Sequence, residues 1–383
     1  MNDVTHDLGR GLPGSVVYQG VLAQGSGQWE TAHHVARTMA SLPAAAHPES
    51  AGLFHGAPAV AFALHTAGHP AYGSALERLD EALAVLVAAR LSAADERMSA
   101  GQPPRMREYD LISGLTGLGA YFLHRRSSPE SLRGVLRYLV RLLQAPVTVE
   151  GHQVPGWWTR DSPTGRPEDT MSAGHGNFGM AHGVAGPVAL LALASRAGHT
   201  VPGQLETLAA SCQLLEQWAQ PASEGGAAWP ETVSLETWLK GPTPQFRAGR
   251  PSWCYGTPGI ARALQLAALA CGRESSRTRA EALLAACLSD VTQLVRVTDG
   301  TICHGWAGVC LVAHRAASEA HADSPLRRTL PRLRAQFAAY LAHNPVAEGA
   351  GLLTGADGVL LTIHTLFPSH PVSSAWETCL LLN

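Results

Sequence analysis

Charge is scarce in this sequence, and so are the features that mark nucleic-acid-binding and membrane-spanning proteins. Charged residues make up 15% of the 383 residues and hydrophobic residues 46%, which excludes the polar, highly charged composition of a disordered chain. The formal net charge of -2 leaves no basic excess for nucleic acid. No run reaches the roughly 18 uncharged apolar residues that cross a bilayer, and the first residues, MNDVTHDLGRGLPGSVV, lack the apolar core of a signal peptide. We therefore expect a folded cytoplasmic protein that does not span a membrane and does not bind nucleic acid.

A disulfide framework is also missing. The seven cysteines are an odd number in a long chain without a secretion signal, whereas disulfide frameworks are typical of small secreted domains. Metal binding or thiol chemistry is therefore the better interpretation of some of them. Five are interpreted as core residues, because a lone cysteine in an Ala-rich helical protein usually packs as a small apolar side chain. These five are Cys212, Cys271, Cys287, Cys310 and Cys379.

Glycine, by contrast, is abundant, with 39 residues, and it marks an internal repeat. One local pattern occurs six times: a glycine followed, usually after two residues, by a small residue that opens an apolar stretch. Successive copies lie 49 to 73 residues apart, which leaves room for one helix out and one helix back. The anchoring glycines are Gly56, Gly114, Gly183, Gly256, Gly305 and Gly355.

Two kinds of helix alternate between these glycines. Segments with charge on one face follow Ser74, Ser128-Pro129 and Ser324-Pro325. These residues are typical of helix N-termini, so we predict that outer helices begin there. The segments that follow the glycines are apolar nearly all round, as in buried helices. The pattern predicts an all-α fold, an (α/α) toroid or barrel of six helical hairpins with inner and outer layers, or seven with a weaker terminal pair. We expect one domain over residues 1–383, with insert loops at about 145–172 and 220–251 that wall a substrate groove.

Polar residues collect in one register of the repeat. The position before each anchoring glycine holds His55, Ser113, His182, Tyr255, His304 or Thr354, and the position before that holds Cys254 and Cys303 in two copies. Two thiolates and one imidazole from Cys254, Cys303 and His304 would leave one tetrahedral position open on Zn²⁺, as in catalytic sites. The spacing alone is not specific, since no CxxC pair is present.

These residues also carry a resemblance to a known family. The strings WCYGTPG from Trp253, CHG from Cys303 and AHGVAG from Ala181 resemble those of the lanthionine synthetase C (lanthipeptide cyclase) family, and the similarity covers most of the chain. The resemblance implies an α-toroid with Cys254, Cys303 and His304 as zinc ligands. It further implies catalytic roles for His182, Asp110, Arg250 and Tyr255, with His182 as general acid or base.

Elementary chemistry makes these implied roles plausible. Addition of a thiolate to dehydroalanine or dehydrobutyrine produces an enolate, which a cation such as Arg250 would stabilise. His182 has a suitable ordinary pKa, about 6.5, to protonate the α-carbon. Simpler interpretations stay open: Asp110 is also placed to cap a helix. His55 shares the register of His182 but matches no family role, so we interpret it as structural.

Three functions remain in competition. The first is a zinc-dependent cyclase that acts on a dehydrated precursor peptide, with a partner dehydratase and export machinery through which it would reach a membrane. The second is a non-catalytic zinc and thiol-binding scaffold for a glutathione-like ligand. The third is another (α/α)-barrel enzyme such as a glycoside hydrolase, which needs two carboxylates about 5 to 10 Å apart. The glycine motifs supply only Asp110 and Asp357 for that role.

Overall fold

The structure is a computed structural model that describes residues 5–162, 166, 171–222, 226–242, 249–368 and 375–383. Helices dominate the described residues. In chain order they are α1 (Leu12–Ser26), α2 (Glu30–Met39), α3 (Ala57–Ala67), α4 (Gly73–Ser99), α5 (Met106–Tyr109), α6 (Leu115–Arg125), α7 (Pro129–Gln144), α8 (Ala185–Arg196), α9 (Gln204–Gln217), α10 (Leu235–Lys240), α11 (Thr257–Ala270), α12 (Glu274–Ser289), α13 (Val291–Leu294), α14 (Trp306–Ser318), α15 (Pro325–His343) and α16 (Ala356–Leu366).

The helices form the two layers that the sequence predicts. The inner helices are buried nearly all round, as in α8, where every residue from Ala185 to Ala194 is buried. The outer helices bury one stripe, as in α15, where Leu326, Leu333 and Phe337 face the core. No helix within the described ranges is both long and apolar enough to cross a membrane.

Seven inner helices, counted over the described residues, contact one another in cyclic order. They are α1, α3, α6, α8, α11, α14 and α16, and α16 packs back against α1. Six of them follow the predicted glycine motifs, and α1 is the weaker terminal member. The toroid architecture is therefore confirmed, with seven inner helices rather than six.

The loops that lead into the inner helices meet at one end of the toroid. We name them motif loops 1 to 7 after the glycine that ends each: Gly11, Gly56, Gly114, Gly183, Gly256, Gly305 and Gly355. Backbone hydrogen bonds of 2.9 to 3.4 Å join neighbouring loops into a ring. They run from Leu8 N to Phe54 O, Phe54 N to Ile112 O, Leu111 N to Ala181 O, Ala181 N to Cys254 O, Cys254 N to Cys303 O, Cys303 N to Leu353 O and Leu353 N to Gly9 O.

The two insert segments contain short strands among their described residues. The segment at 145–172 holds a hairpin, with β1 (Val147–Val149) paired antiparallel to β2 (His152–Val154). Further along, β3 (His175–Asn177) pairs antiparallel with β6 (Thr232–Ser234). The pair β4 (Gln220–Pro221) and β5 (Ala227–Ala228) lies in the second insert. Strand β6 belongs to the second insert, and its partner β3 leads directly into motif loop 4. This strand pair therefore joins the second insert to the motif end of the toroid.

The last described residues fill the interior of the toroid. A 3-10 turn spans Trp376–Leu380, and Cys379 to Leu382 have no exposed surface. Trp253 donates its indole N–H to the carbonyl of Leu380 at 3.0 Å, and the buried Arg262 donates to the carbonyl of Leu382. The segment 375–383 therefore supports the residue that precedes Cys254.

The predicted helix starts have different outcomes. α7 begins at Pro129 and α15 at Pro325, as expected, and the Ser324 hydroxyl accepts from Leu326 N. The start at Ser74 is wrong, since α4 begins at Gly73 and has no side-chain cap. A 3-10 turn at Pro70–Tyr72 leads straight into this helix, so the chain needs no serine cap there.

Candidate metal centre and active site

Motif loops 5 and 6 bring three candidate metal ligands together. One donor atom from each of Cys254, Cys303 and His304 lies within 4.8 Å of the other two, although 49 residues separate the cysteines. Tetrahedral Zn²⁺ has bonds of about 2.3 Å to sulfur and 2.0 Å to nitrogen, which place ligand atoms about 3.5 to 4 Å apart. The donors therefore fit zinc in type and spacing. Among the described residues this group contains no fourth His, Cys, Asp or Glu donor.

The two thiols influence each other strongly. The Cys303 thiol donates a hydrogen bond to the Cys254 sulfur and thereby holds the pKa of Cys254 well below its usual range. The same contact and burial raise the pKa of Cys303, because a second negative charge would lie beside the first. Opposite shifts of this kind are expected where two cysteines lie close enough to bind one metal ion.

Glycine permits the tight backbone geometry around Cys254. Gly256 has φ of 131°, which side-chain-bearing residues rarely adopt. Gly179, in motif loop 4, lies so close to motif loop 5 that an added Cβ would be 2.6 Å from the Cys254 carbonyl oxygen. Without these two glycines, motif loops 4 and 5 would not approach closely enough to share a site.

Asp110 and His182 form a hydrogen-bonded pair beside the candidate ligands. The Asp110 Oδ2 atom is 2.6 Å from His182 Nδ1, and its Oδ1 atom accepts from the backbone N–H groups of Ser113 and Gly114. Asp110 thus caps its loop and orients the imidazole at the same time. Burial lowers the pKa of His182, but the hydrogen bond and charge of Asp110, together with Cys254, offset burial and raise the pKa above its ordinary value.

Tyr255 lies between these groups as a neutral phenol. Its ring centre is 6.3 Å from that of His182, and the Asn177 side-chain amide donates to its hydroxyl at 3.1 Å. Burial, with the nearby negative groups, raises its pKa. A neutral phenol can donate a hydrogen bond but does not act as a base near neutral pH.

Arg250 lies on the same side as the candidate ligands. Its guanidinium is 3.9 Å from the Asp299 carboxylate, which is itself 3.6 Å from Nε2 of His304. The charge of Arg250 lowers the pKa of Cys303, against the larger effects that raise it. This location suits stabilisation of thiolate charge, whereas the enolate role is only implied by the family resemblance.

A cavity of about 470 Å³ opens at the motif end of the toroid. Four of the candidate site residues line it, Cys254, Cys303, His182 and Tyr255, whereas its described lining does not include His304, Asp110 or Arg250. His55, which we expected to be structural, also lines it. The carboxylate of Asp357 is instead bound by the Ser15 hydroxyl and by the backbone N–H of Gly351, so it is used to hold motif loop 7.

Motif loop 1 contributes two side chains that sequence reasoning missed. Asp7 and Arg10 line the same cavity. Their string, DLGRGLPG from Asp7, matches DLISGLTG from Asp110 at Asp, Leu, the anchoring Gly, the following Leu and the last Gly. A direct comparison of these two strings would have revealed the seventh copy of the repeat.

The fold is thus an (α/α) toroid whose motif loops bring a candidate Cys-Cys-His metal site next to an Asp–His pair. The family model described as lanthionine synthetase C-like protein matches residues 3–381. The chain belongs to this family.

Two relatives agree with that assignment. Nisin biosynthesis protein NisC of Lactococcus lactis subsp. lactis is 24% identical over 280 residues, which are 72% of this chain and 64% of the relative. The matched region thus spans less than two thirds of that protein. The solved structure of a nisin cyclase superposes with a TM-score of 0.79 at 18% identity and covers 100% of this chain and 93% of the other, which shows the shared fold.

Proposed function

We propose that this protein is a zinc-dependent peptide cyclase. It adds cysteine thiolates to dehydroalanine or dehydrobutyrine residues of a dehydrated precursor peptide, forming lanthionine or methyllanthionine rings. The observation that supports it best is that the Cys254–Cys303–His304 cluster and the Asp110–His182 pair meet at one cavity, which Cys254, Cys303 and His182 line. The names of the relatives, nisin biosynthesis protein and nisin cyclase, agree with this chemistry.

Each part of the site has a task in this reaction. Cys254, Cys303 and His304 would hold zinc, which would supply the positive charge that favours the thiolate form of a substrate cysteine. Asp110 binds Nδ1 of His182, which leaves Nε2 for the substrate. The raised pKa keeps His182 protonated to higher pH, so it can donate a proton to the α-carbon after the carbon–sulfur bond forms. Tyr255, whose hydroxyl is held by Asn177, flanks His182.

The competing functions have weaker support. A binding scaffold would not need the Asp110–His182 pair, whose contact shifts the pKa of His182 toward the value useful in proton transfer. A glycoside hydrolase would need Asp110 and Asp357 to face one substrate. The Asp357 carboxylate instead accepts hydrogen bonds from the backbone N–H of Gly351 and from the Ser15 hydroxyl. The dehydratase partner, the export machinery, the single domain and the cytoplasmic location stay predictions.

Metal content tests the first half of the proposal. Purified protein should contain about one zinc per chain, and Cys254→Ala and Cys303→Ala should each reduce this to near zero. Cys310→Ala is the matched control, because Cys310 is a buried cysteine of inner helix α14 outside the site. Equal zinc contents in all four proteins would overturn the site.

Turnover tests the second half. The probe is a synthetic peptide with one dehydroalanine and one cysteine, and cyclisation removes its free thiol without changing its mass. Wild-type protein should consume the thiol, whereas His182→Gln should retain zinc and lose most of this activity. Zinc-dependent peptide binding with no thiol loss above the uncatalysed rate would favour the scaffold instead.

A further inference from the structure

Motif loops 1 and 2 repeat the arrangement of the Asp110–His182 pair. Asp7 of loop 1 faces His55 of loop 2 with a distance of 3.7 Å between Oδ2 and Nδ1, as Asp110 of loop 3 faces His182 of loop 4. The Asp7 Oδ1 atom also accepts from backbone N–H groups of its own loop, those of Gly9 and Arg10. The seven-membered repeat has therefore placed two carboxylate–imidazole contacts on one cavity.

The Asp7–His55 contact includes a cation, Arg10, at a position where the Asp110–His182 pair has a serine. Arg10 holds the position that Ser113 occupies in loop 3, and its Nε atom donates to Asp7 Oδ2 at 3.2 Å. Its two terminal nitrogens make no hydrogen bond within the described part of the chain, and the side chain is 55% exposed. Among the described residues that line the cavity, Arg10 is the only arginine or lysine.

His55 does not compete with Arg10 for the carboxylate. The pKa of His55 is lowered, mainly by burial. The charges of Arg10 and His182 also lower this pKa, whereas the carboxylates of Asp7 and Asp110 raise it without reversing the effect of burial. His55 is therefore mainly neutral near pH 7, and Arg10 is the permanent cation of this wall.

The order of the loops separates Arg10 from the thiolates. Loop 1, which carries Arg10, is three steps from loop 5 and two steps from loop 6 in the ring of seven, so at least one other loop lies between Arg10 and each cysteine. Arg250 lies with Asp299 beside His304, on the thiolate side. A dehydroamino acid whose β-carbon faces the thiolate directs its α-carbon and acyl oxygen away from the sulfur. An acyl oxygen directed away from the thiolates would find one cation in the described lining of the cavity, Arg10.

We propose that Arg10, held by Asp7, is the oxyanion-binding group of the site: it binds the acyl oxygen of the dehydroamino acid and stabilises the enolate during thiolate addition. This inference rests on the proposed cyclase function. In the step, the substrate sulfur bonds to the β-carbon and the π electrons of the alkene move onto the acyl oxygen. A proton from His182 then goes to the α-carbon and restores the carbonyl, and the proton released by the substrate thiol returns to His182 through solvent. Atoms and charge balance without a further reactant.

The test uses the full-length zinc-loaded protein and the dehydroalanine–cysteine probe peptide. Arg10→Gln should lower kcat about 100-fold with KM changed less than about threefold, the low end for loss of an oxyanion donor, because Arg10 is half exposed. Arg10→Lys keeps the charge and should recover part of the loss. Asp7→Asn keeps an acceptor for its loop but loses the ion pair, and should give a smaller loss of kcat. Arg141→Gln is the matched control: Arg141 is 53% exposed and binds Asp95 on the outer layer.

The outcomes separate this inference from the cyclase proposal. Wild-type protein that fails to cyclise the probe contradicts the cyclase function itself. Wild-type activity with an Arg10→Gln variant that behaves like Arg141→Gln overturns the oxyanion role, and so does a variant in which only KM rises, because Arg10 would then only dock the peptide. Zinc content and melting temperature of every variant must match the wild type, so a loss from misfolding or metal depletion is recognised directly.

Discussion

Replacing Asp110 by asparagine should separate the two tasks of this residue. The asparagine side chain retains an oxygen for the N–H groups of Ser113 and Gly114, so motif loop 3 should keep its conformation. The negative charge 2.6 Å from His182 Nδ1 is lost. An opposite charge at such a distance shifts a pKa by about 1 to 3 units. Burial, which lowers the pKa of His182, would then be poorly opposed, so the pKa should fall below about 6.5.

This shift has consequences for rate and for stability. At pH 7.5 the protonated fraction of His182 should fall by about 10- to 100-fold, and cyclisation with it, with partial recovery as the pH is lowered toward 5.5. A raised folded pKa means that the pair stabilises the fold below the unfolded value, about 6.5, and that this stabilisation is lost as pH rises through the folded value. The difference in melting temperature between wild type and variant should therefore be larger at pH 5.5 than at pH 8.

The measurement needs no natural substrate. NMR titration of the His182 Cε1–Hε1 signal, assigned with His182→Gln, reports the pKa in the zinc-loaded protein, and the probe peptide reports the rate. Asp95→Asn is the control, since Asp95 is an exposed acid paired with Arg141 on the outer layer. A His182 pKa that agrees between wild type and Asp110→Asn within half a unit would refute the electrostatic role of Asp110.

Three further predictions concern the frame of the site and its metal. Arg90 is buried and donates to the carbonyls of Pro48, Ala51 and Ser113. Arg90→Gln should therefore lower the free energy of unfolding, measured with denaturant, by about 3 to 5 kcal/mol. The control Arg133→Gln, at an exposed arginine, should change it by less than about 1 kcal/mol. Gly256→Ala places a side chain on a backbone with φ of 131°, where its Cβ would lie 2.8 Å from the Arg250 carbonyl oxygen. The substitution should lower the free energy of unfolding by about 1 to 3 kcal/mol and weaken zinc binding. The control Gly272→Ala also has positive φ but open space around the Cβ, and should leave zinc binding unchanged. Zinc affinity, measured by chelator competition, should fall as pH is lowered from 7.5 to 6, because the thiols of Cys254 and Cys303 must lose their protons to bind; a pH-independent affinity would contradict thiolate ligation.

The sequence predicts the parts of this protein that repeat. A glycine followed by a small residue and a buried stretch recurs along the chain, so the two helix layers follow from the pattern. The shared register also predicts that Cys254, Cys303 and His304 lie near one another, while their role as ligands comes from the resemblance to the family. Ser128 and Ser324 mark true helix starts because proline follows each of them at the first helical position. Ser74 fails as a start signal because a preceding 3-10 turn already directs the chain into α4.

Contacts outside the repeat leave no such signal. Nothing periodic connects Trp253 to Leu380, although the indole N–H binds that carbonyl from 127 positions away. Asp7 and Arg10 are missed because motif loop 1 carries none of the family's strings and differs from the other copies before its anchoring glycine. His55 is interpreted as structural because it matches no family role, and its contact with Asp7 becomes visible only when loop 1 is placed beside loop 2 as a copy of the repeat.

The circle of backbone bonds between motif loops has a consequence for how such sites can be rebuilt. Each loop is joined to the next by a backbone hydrogen bond, so residues just before the anchoring glycines of two neighbouring loops lie side by side. A Cys on one loop and Cys-His on the next can therefore direct three donor atoms to one point, although 49 residues separate the two cysteines. A metal site of this kind would be rebuilt only on two loops that are bonded neighbours.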